Sequence, residues 1–181
     1  MRETVQIILA MSFIIIGLGG CAAVEDGSES FEGKYIENKW RSIMYKKLTT
    51  NMVVEDVNST VDFYKDVLGF EFVIGVPENS QDIVTHQQKG QKLCFAVMKY
   101  GSVEMMFQTK ESLAKEIPEF DRMDIGGSVT FYIDVDDVKE LYEKLKDKVT
   151  IVLGLETKFY GKQEFYIRDC NGYILGFAGE I

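Results

Sequence analysis

Few side chains in this sequence can do chemistry, and they are scattered along it. His86 is the single histidine and sits in a polar stretch. There it is either an exposed loop residue or, if a pocket reaches it, a general base that titrates near neutral pH. Glu164 and Arg168 are four apart in a run that reads as a strand, so they share a face. Together they could bind a ligand or form an ordinary surface ion pair. Other acid–base work would fall to Glu104 or a tyrosine. Phe159-Tyr160-Gly161 reads either as a lip over a pocket or as aromatic core filling. Cys94 lies in mid-strand and Cys170 in a distant hairpin turn, so no disulfide is expected even in an oxidising compartment.

The third cysteine has a different context. MRETVQIILAMSFIIIGLGGC carries Arg2, an apolar run from Ile7 to Leu18, and small residues before Cys21. That is the layout of a bacterial export signal, and the run is short for a span of about 20 apolar residues. Leu18-Gly19-Gly20-Cys21 looks like a lipobox, in which Cys21 becomes the lipid-modified first residue of the mature chain. An uncleaved helical anchor is the alternative. The expected organisation is a signal peptide over 1–20, a polar, acidic tether over 21–45, and a domain over 46–181. The lipid would hold the protein in the cell envelope, on the exported side of the membrane.

Two stretches must position whatever the domain holds. Thr49 to Phe70 reads as a β-branched strand, a helix capped by Asp56 or Asn58 with Val57, Val61, Tyr64 and Leu68 on one face, and an exit at Gly69. Ser128 to Lys148 repeats the plan, with an acidic helix start at Asp136-Asp137 and Val138, Leu141, Tyr142 and Leu145 on one face. Two copies of one unit about eighty residues apart suggest a duplication. Strands follow over 71–76, 92–100 and 102–109 in the first half, and over 149–156, 161–168 and 173–178 in the second. Lys110 to Phe120 reads as a short helix broken at Pro118, and Asn171-Gly172 as a hairpin turn. The fold class is α+β, βαβββ twice, with modules at about 46–110 and 127–181.

Apolar residues make up 46% of the 181-residue chain, enough for a core, and the formal charge is −9. No cluster of Lys and Arg is visible, so nucleic acid is not an expected partner.

NMVVEDVNSTVDFYKDVLGF, GSVEMMFQ, FYIDVDDVKELYEKL and FYGKQEFYIRDCNGYILGFAGE together resemble the vicinal oxygen chelate superfamily, which includes glyoxalase I, extradiol dioxygenases and bleomycin-resistance proteins. The resemblance covers roughly Lys46 to Glu180. It implies paired βαβββ modules whose curved sheets enclose a pocket, and dimers as a common state. Metalloenzymes of that superfamily carry four ligands on the sheets. By motif offset these positions fall at Thr49, Glu104, Thr130 and Gly176, and only Glu104 has a usual ligand side chain. One carboxylate is far short of the three or four donors that a divalent ion wants, so neither a metal nor another cofactor is expected. Strand alternation adds Asn51, Val53, Ser102, Met106 and Tyr132 to the pocket face. It sends Met52, Val54, Met105, Phe107, Phe131, Ile133, Leu175 and Phe177 under the helices. The leading reading is a membrane-tethered protein that binds a planar or amphipathic small molecule. The alternatives are a divergent lyase or isomerase with Glu104 as its base, and a structural lipoprotein whose pocket has decayed.

Overall fold

The computed structural model describes residues 45–181. The expected signal peptide over 1–20, the expected lipidation at Cys21 and nearly all of the expected tether over 21–45 fall outside the described residues. The first strand, β1 (Thr50–Val54), leads to helix α1 (Val57–Asp66) and then β2 (Glu71–Pro77), β3 (Leu93–Tyr100) and β4 (Val103–Thr109). Helix α2 (Lys110–Glu116) and a 3-10 turn at Pro118–Arg122 follow. The second module runs β5 (Thr130–Asp134), α3 (Val138–Leu145), β6 (Thr150–Thr157), β7 (Lys162–Arg168) and β8 (Ile174–Glu180). Each module makes its own four-stranded sheet, ordered β1-β4-β3-β2 and β5-β8-β7-β6. The first and last strands of each module run parallel, and the other neighbours are antiparallel. The α+β architecture of two βαβββ modules is the one expected.

Local chemistry explains the element ends. Asp56 Oδ1 accepts the Ser59 amide at 2.7 Å, and Asp137 Oδ1 accepts the Glu140 amide at 2.8 Å. Each satisfies one of the orphan donors of a first helical turn. Asn58, the other candidate cap, does something else. Its side chain donates to the Gln91 carbonyl at 2.9 Å and accepts the Leu93 amide at 2.8 Å, tying α1 to the start of β3. Gly69 ends α1 at φ +79°, a left-handed conformation that glycine adopts without steric cost. The Phe70 amide then reaches back to the Tyr64 carbonyl at 2.9 Å.

The two sheet faces sort by polarity. Met52, Val54, Met105, Phe107, Leu175 and Phe177 are buried in one core cluster, with Phe131 and Ile133 packed against it. This is the helix side, where Tyr142 of α3 meets Phe165 of β7 with ring centroids 5.3 Å apart. Residues Thr49–Ile181 form one compact unit, and named polar contacts join its two modules. The Tyr64 phenol of α1 donates to Asp169 Oδ2 at 2.9 Å in the β7–β8 turn. The Tyr173 phenol donates to the Val53 carbonyl at 2.9 Å, and Asn171 Nδ2 donates to Thr60 Oγ1 at 3.0 Å. Asp169 Oδ1 also accepts the amides of Asn171 and Tyr173, at 2.9 and 2.8 Å. The turn that Asn171-Gly172 announces is therefore also the joint between modules. Among the described residues no helix is long and apolar enough to cross a membrane.

Candidate functional site

Along β7, Phe165 and Ile167 are fully buried under α3. Alternation then sends Glu164 and Tyr166 to the face opposite α3. Cross-strand register puts Tyr132, Gly176 and Tyr166 in one row over β5, β8 and β7. Asp134, Ala178, Glu164 and Glu156 form the next. Glu164 is only 1% exposed, and a buried carboxylate must be compensated. Three phenols do this. Tyr132 donates to Oε1 at 2.6 Å, Tyr160 donates to the same oxygen, and Tyr166 donates to Oε2 at 3.0 Å.

Gly176 makes the cluster possible. A Cβ there would lie 2.6 Å from Cε1 of Tyr166, so the tyrosine ring occupies the space that a side chain would need. Tyr160 arrives from the β6–β7 hairpin, which closes with the Lys158 amide on the Lys162 carbonyl at 2.8 Å and turns at Gly161, φ +89°. The neighbouring Phe159 projects from the hairpin fully exposed, its ring edge-on to that of Tyr160. The exposure of Phe159 and Tyr160 does not fit the core-filling reading of this segment.

The electrostatics hold the protons where they are. Burial pushes the Glu164 carboxyl up, but the three phenol donors and Lys158 together pull it down, and the net direction is below the usual range. The hydrogen bond to Glu164, with burial and its charge, raises the Tyr132 phenol well above its ordinary value. Tyr160 is raised by its bond to Glu164 and then by burial, and Tyr166 by burial and then by that bond. A weakened base among weakened acids suits charge storage rather than proton transfer at neutral pH.

The face of the first sheet that carries Asn51 and Gln108 meets α2 instead of a cluster of phenols. Asn51 Nδ2 donates to Gln108 Oε1 at 2.8 Å, and Gln108 Nε2 donates to Ser112 Oγ at 3.1 Å and Glu116 Oε1 at 3.2 Å. This chain ties β1 and β4 to α2. Asn51 sits directly opposite Met106, and Glu104 opposite Lys99. Thr49, Glu104 and Met106 are half-buried, and Asn51 is exposed. The expected pocket residues thus fall into two groups. Asn51, Glu104 and Met106 belong to the first sheet, and Thr49 lies just before its β1. Thr130, Tyr132 and Gly176 belong to the second, with Tyr132 directly opposite Gly176. Hydrogen bonds from Tyr64 to Asp169, from Asn171 to Thr60 and from Tyr173 to Val53 join the modules.

The four positions of the superfamily's metal ligands do not fit a divalent ion. Thr49 and Thr130 offer neutral hydroxyls, Glu104 one carboxylate, and Gly176 no side chain, with the Tyr166 ring closing the space above it. Among the described residues no group of three or more His, Cys, Asp and Glu could hold a metal ion. His86 is exposed in its loop. Cys94 and Cys170 are both free. Glu164 pairs with tyrosines, where strand spacing alone pointed to Arg168.

Tyr166 and Gln108 were missed by sequence reasoning. Each lies two residues beyond a named position, Glu164 and Met106, so alternation could have found both. A groove of about 810 Å³ lies elsewhere, between the end of α1, the β3–β4 turn and α3, with Ser102, Phe70, Leu145 and Phe177 among its lining. None of the four residues of the Glu164 cluster lines it.

Comparison with known proteins agrees with this architecture. Three solved structures with the same fold illustrate it. A glyoxalase/bleomycin resistance protein/dioxygenase from Nocardioides is 12% identical, with 78% of this chain and 87% of that one covered and a TM-score of 0.57. A member of the same superfamily from Sphaerobacter thermophilus is 19% identical, with 76% and 100% covered and a TM-score of 0.55. The bleomycin-binding protein of Streptomyces verticillus, complexed with copper(II)-bleomycin, is 19% identical, with 77% and 99% covered and a TM-score of 0.50. At such identities the likeness is one of fold. No functionally curated protein matches the sequence. The family profile described as Glyoxalase/Bleomycin resistance protein/Dioxygenase superfamily matches residues 48–177. With most of its length inside that match and two βαβββ modules in its fold, the chain belongs to this superfamily.

Proposed function

We propose that this is a membrane-tethered small-molecule binding protein of the glyoxalase/bleomycin-resistance type that works without the superfamily metal. The observation that carries this is the closure of the Gly176 position by Tyr166, whose phenol goes to Glu164. Where the metalloenzymes present a ligand carboxylate, this chain presents an aromatic surface beside a buried charge. Binding needs only affinity and shape, and the proton-holding character of the cluster favours it over acid–base turnover. The test is metal-dependent and ligand-dependent melting of the full chain, purified without a histidine tag. Divalent ions should leave the melting temperature unchanged. A ligand present at a hundred times its Kd should raise it by roughly 5–10 °C, from mass action and the usual size scaling. Stoichiometric bound metal with a raised melting temperature would overturn this reading and favour an enzyme.

The tether belongs to the same proposal and rests on Leu18-Gly19-Gly20-Cys21. Cys21→Ala should abolish lipid labelling and release the chain from the membrane fraction. Persistence of both would remove the lipid anchor from the proposal.

A further inference from the structure

We infer that the face of the second sheet opposite α3 takes an organic cation of the quaternary ammonium type, seated on the rings of Tyr132, Tyr160 and Tyr166 beside Glu164. This names the ligand class of the binding function proposed above and rests on that reading. The first support is a buried charge that no cation among the described residues hydrogen-bonds, Lys158 acting on it only across space. Glu164 is almost fully enclosed, and its contacts are three neutral phenols. The nearby ammonium groups are engaged elsewhere, Lys158 with Glu156, and Lys162 with Asp134 at 2.5 Å and Glu180 at 3.8 Å.

The second support is ring availability. Tyr132 and Tyr160 are 46% and 52% exposed although their hydroxyls are tied down. A phenol that donates to a carboxylate carries extra electron density, which strengthens the attraction of its ring for a cation. The third support is that such a site already attracts one. Lys162 Nζ lies 5.9 Å from the centre of the Tyr132 ring, within the range at which cations are drawn to aromatic faces.

Hydrogen-bond accounting selects the kind of cation. Oε1 already accepts two phenols and Oε2 one. Little acceptor capacity remains for a primary amine or a guanidinium, which must satisfy several N–H donors when they leave water. A quaternary ammonium has no N–H to satisfy. It gains from the rings and from the charge beside them without touching the carboxylate. The exposed Phe159 at the hairpin tip would add apolar contact for the ligand's methyl groups.

The experiment is a calorimetric titration of the full chain with choline and, separately, with 3,3-dimethylbutan-1-ol, its uncharged carbon isostere. Choline should bind at least about tenfold more tightly than the alcohol, consistent with the usual size of cation–aromatic attraction. Tyr132→Leu, at an exposed ring, and Glu164→Gln should each remove most of that preference, read as the ratio of the two affinities. Tyr132→Leu keeps the test sound if Glu164→Gln does not fold. Equal affinity for the two probes, or a preference that both variants retain, would overturn the assignment. So would no binding of either probe. Ligand-dependent melting with neutral or anionic compounds would then still support the wider binding function, and its absence would remove both.

Discussion

Asp169→Ala should lower stability by about 3–5 kcal/mol, the cost of leaving several buried donors without an acceptor. Asp169 is 6% exposed. One oxygen takes the Asn171 and Tyr173 amides, and the other takes the phenol of Tyr64, itself fully buried. Alanine would strand all three and open the joint between modules. Asp169→Asn should cost much less, about 1–2 kcal/mol, since its carbonyl can keep both amides and its NH2 can donate to the Tyr64 oxygen. Urea unfolding of the three proteins measures the difference. Similar stability for the alanine variant and the parent would show that the turn does not carry the joint.

The same pair of variants reads out the charge. Burial raises the Asp169 carboxyl above its ordinary value, although the Tyr64 phenol and the turn amides pull the other way. A raised folded-state pKa means that the native chain takes up this proton before the unfolded chain does. Its contribution to stability is therefore fully present below the unfolded pKa and is lost as pH rises through the folded one. Over that window the parent should lose stability relative to Asp169→Asn, whose side chain does not titrate. A flat difference across it would rule out a raised pKa.

Phe107→Ala should cost a further large sum, about 3–5 kcal/mol, as transfer and cavity effects add at a packed aromatic site. Phe107 is fully buried in β4 and lies against Tyr64, with ring centroids 4.5 Å apart. Tyr64 in turn meets Phe70 edge-on at 5.6 Å. Removing Phe107 should loosen the ring that delivers its hydroxyl to Asp169. Phe107→Ala and Asp169→Ala should consequently fail to add, with a coupling of about 0.5–3 kcal/mol in a double-mutant cycle. Strict additivity would show that the Tyr64 ring holds its position without Phe107.

The legible part of this protein was the part that local rules govern. The strand–helix stretches beginning at Thr49 and Ser128, the cap at Asp56, the exit at Gly69 and the turn at Asn171-Gly172 follow from propensity, capping and left-handed backbone preference. Each depends on residues within a few positions of one another, so the linear order carries it. The helix-side core was legible for a similar reason, because strands alternate with period two and Met52, Val54, Met105 and Phe107 can be counted off.

What the order of residues could not reveal is which side chains meet across strands and between modules. Glu164 and Tyr132 are 32 positions apart. Whether Glu164 turns to Arg168 on its own strand or to phenols from β5 and the hairpin depends on register and on the Tyr166 ring leaning over Gly176. Asn58 read as an alternative cap to Asp56, and only the placement of β3 beside α1 gives its side chain its partners, the Gln91 carbonyl and the Leu93 amide. Tyr64 was visible as one member of an apolar stripe, and only folding brought its hydroxyl to Asp169, 105 positions away. A buried polar group must be satisfied by whatever the tertiary structure delivers to it. The partners of Glu164 and Asp169 were therefore settled by packing rather than by the sequence around them.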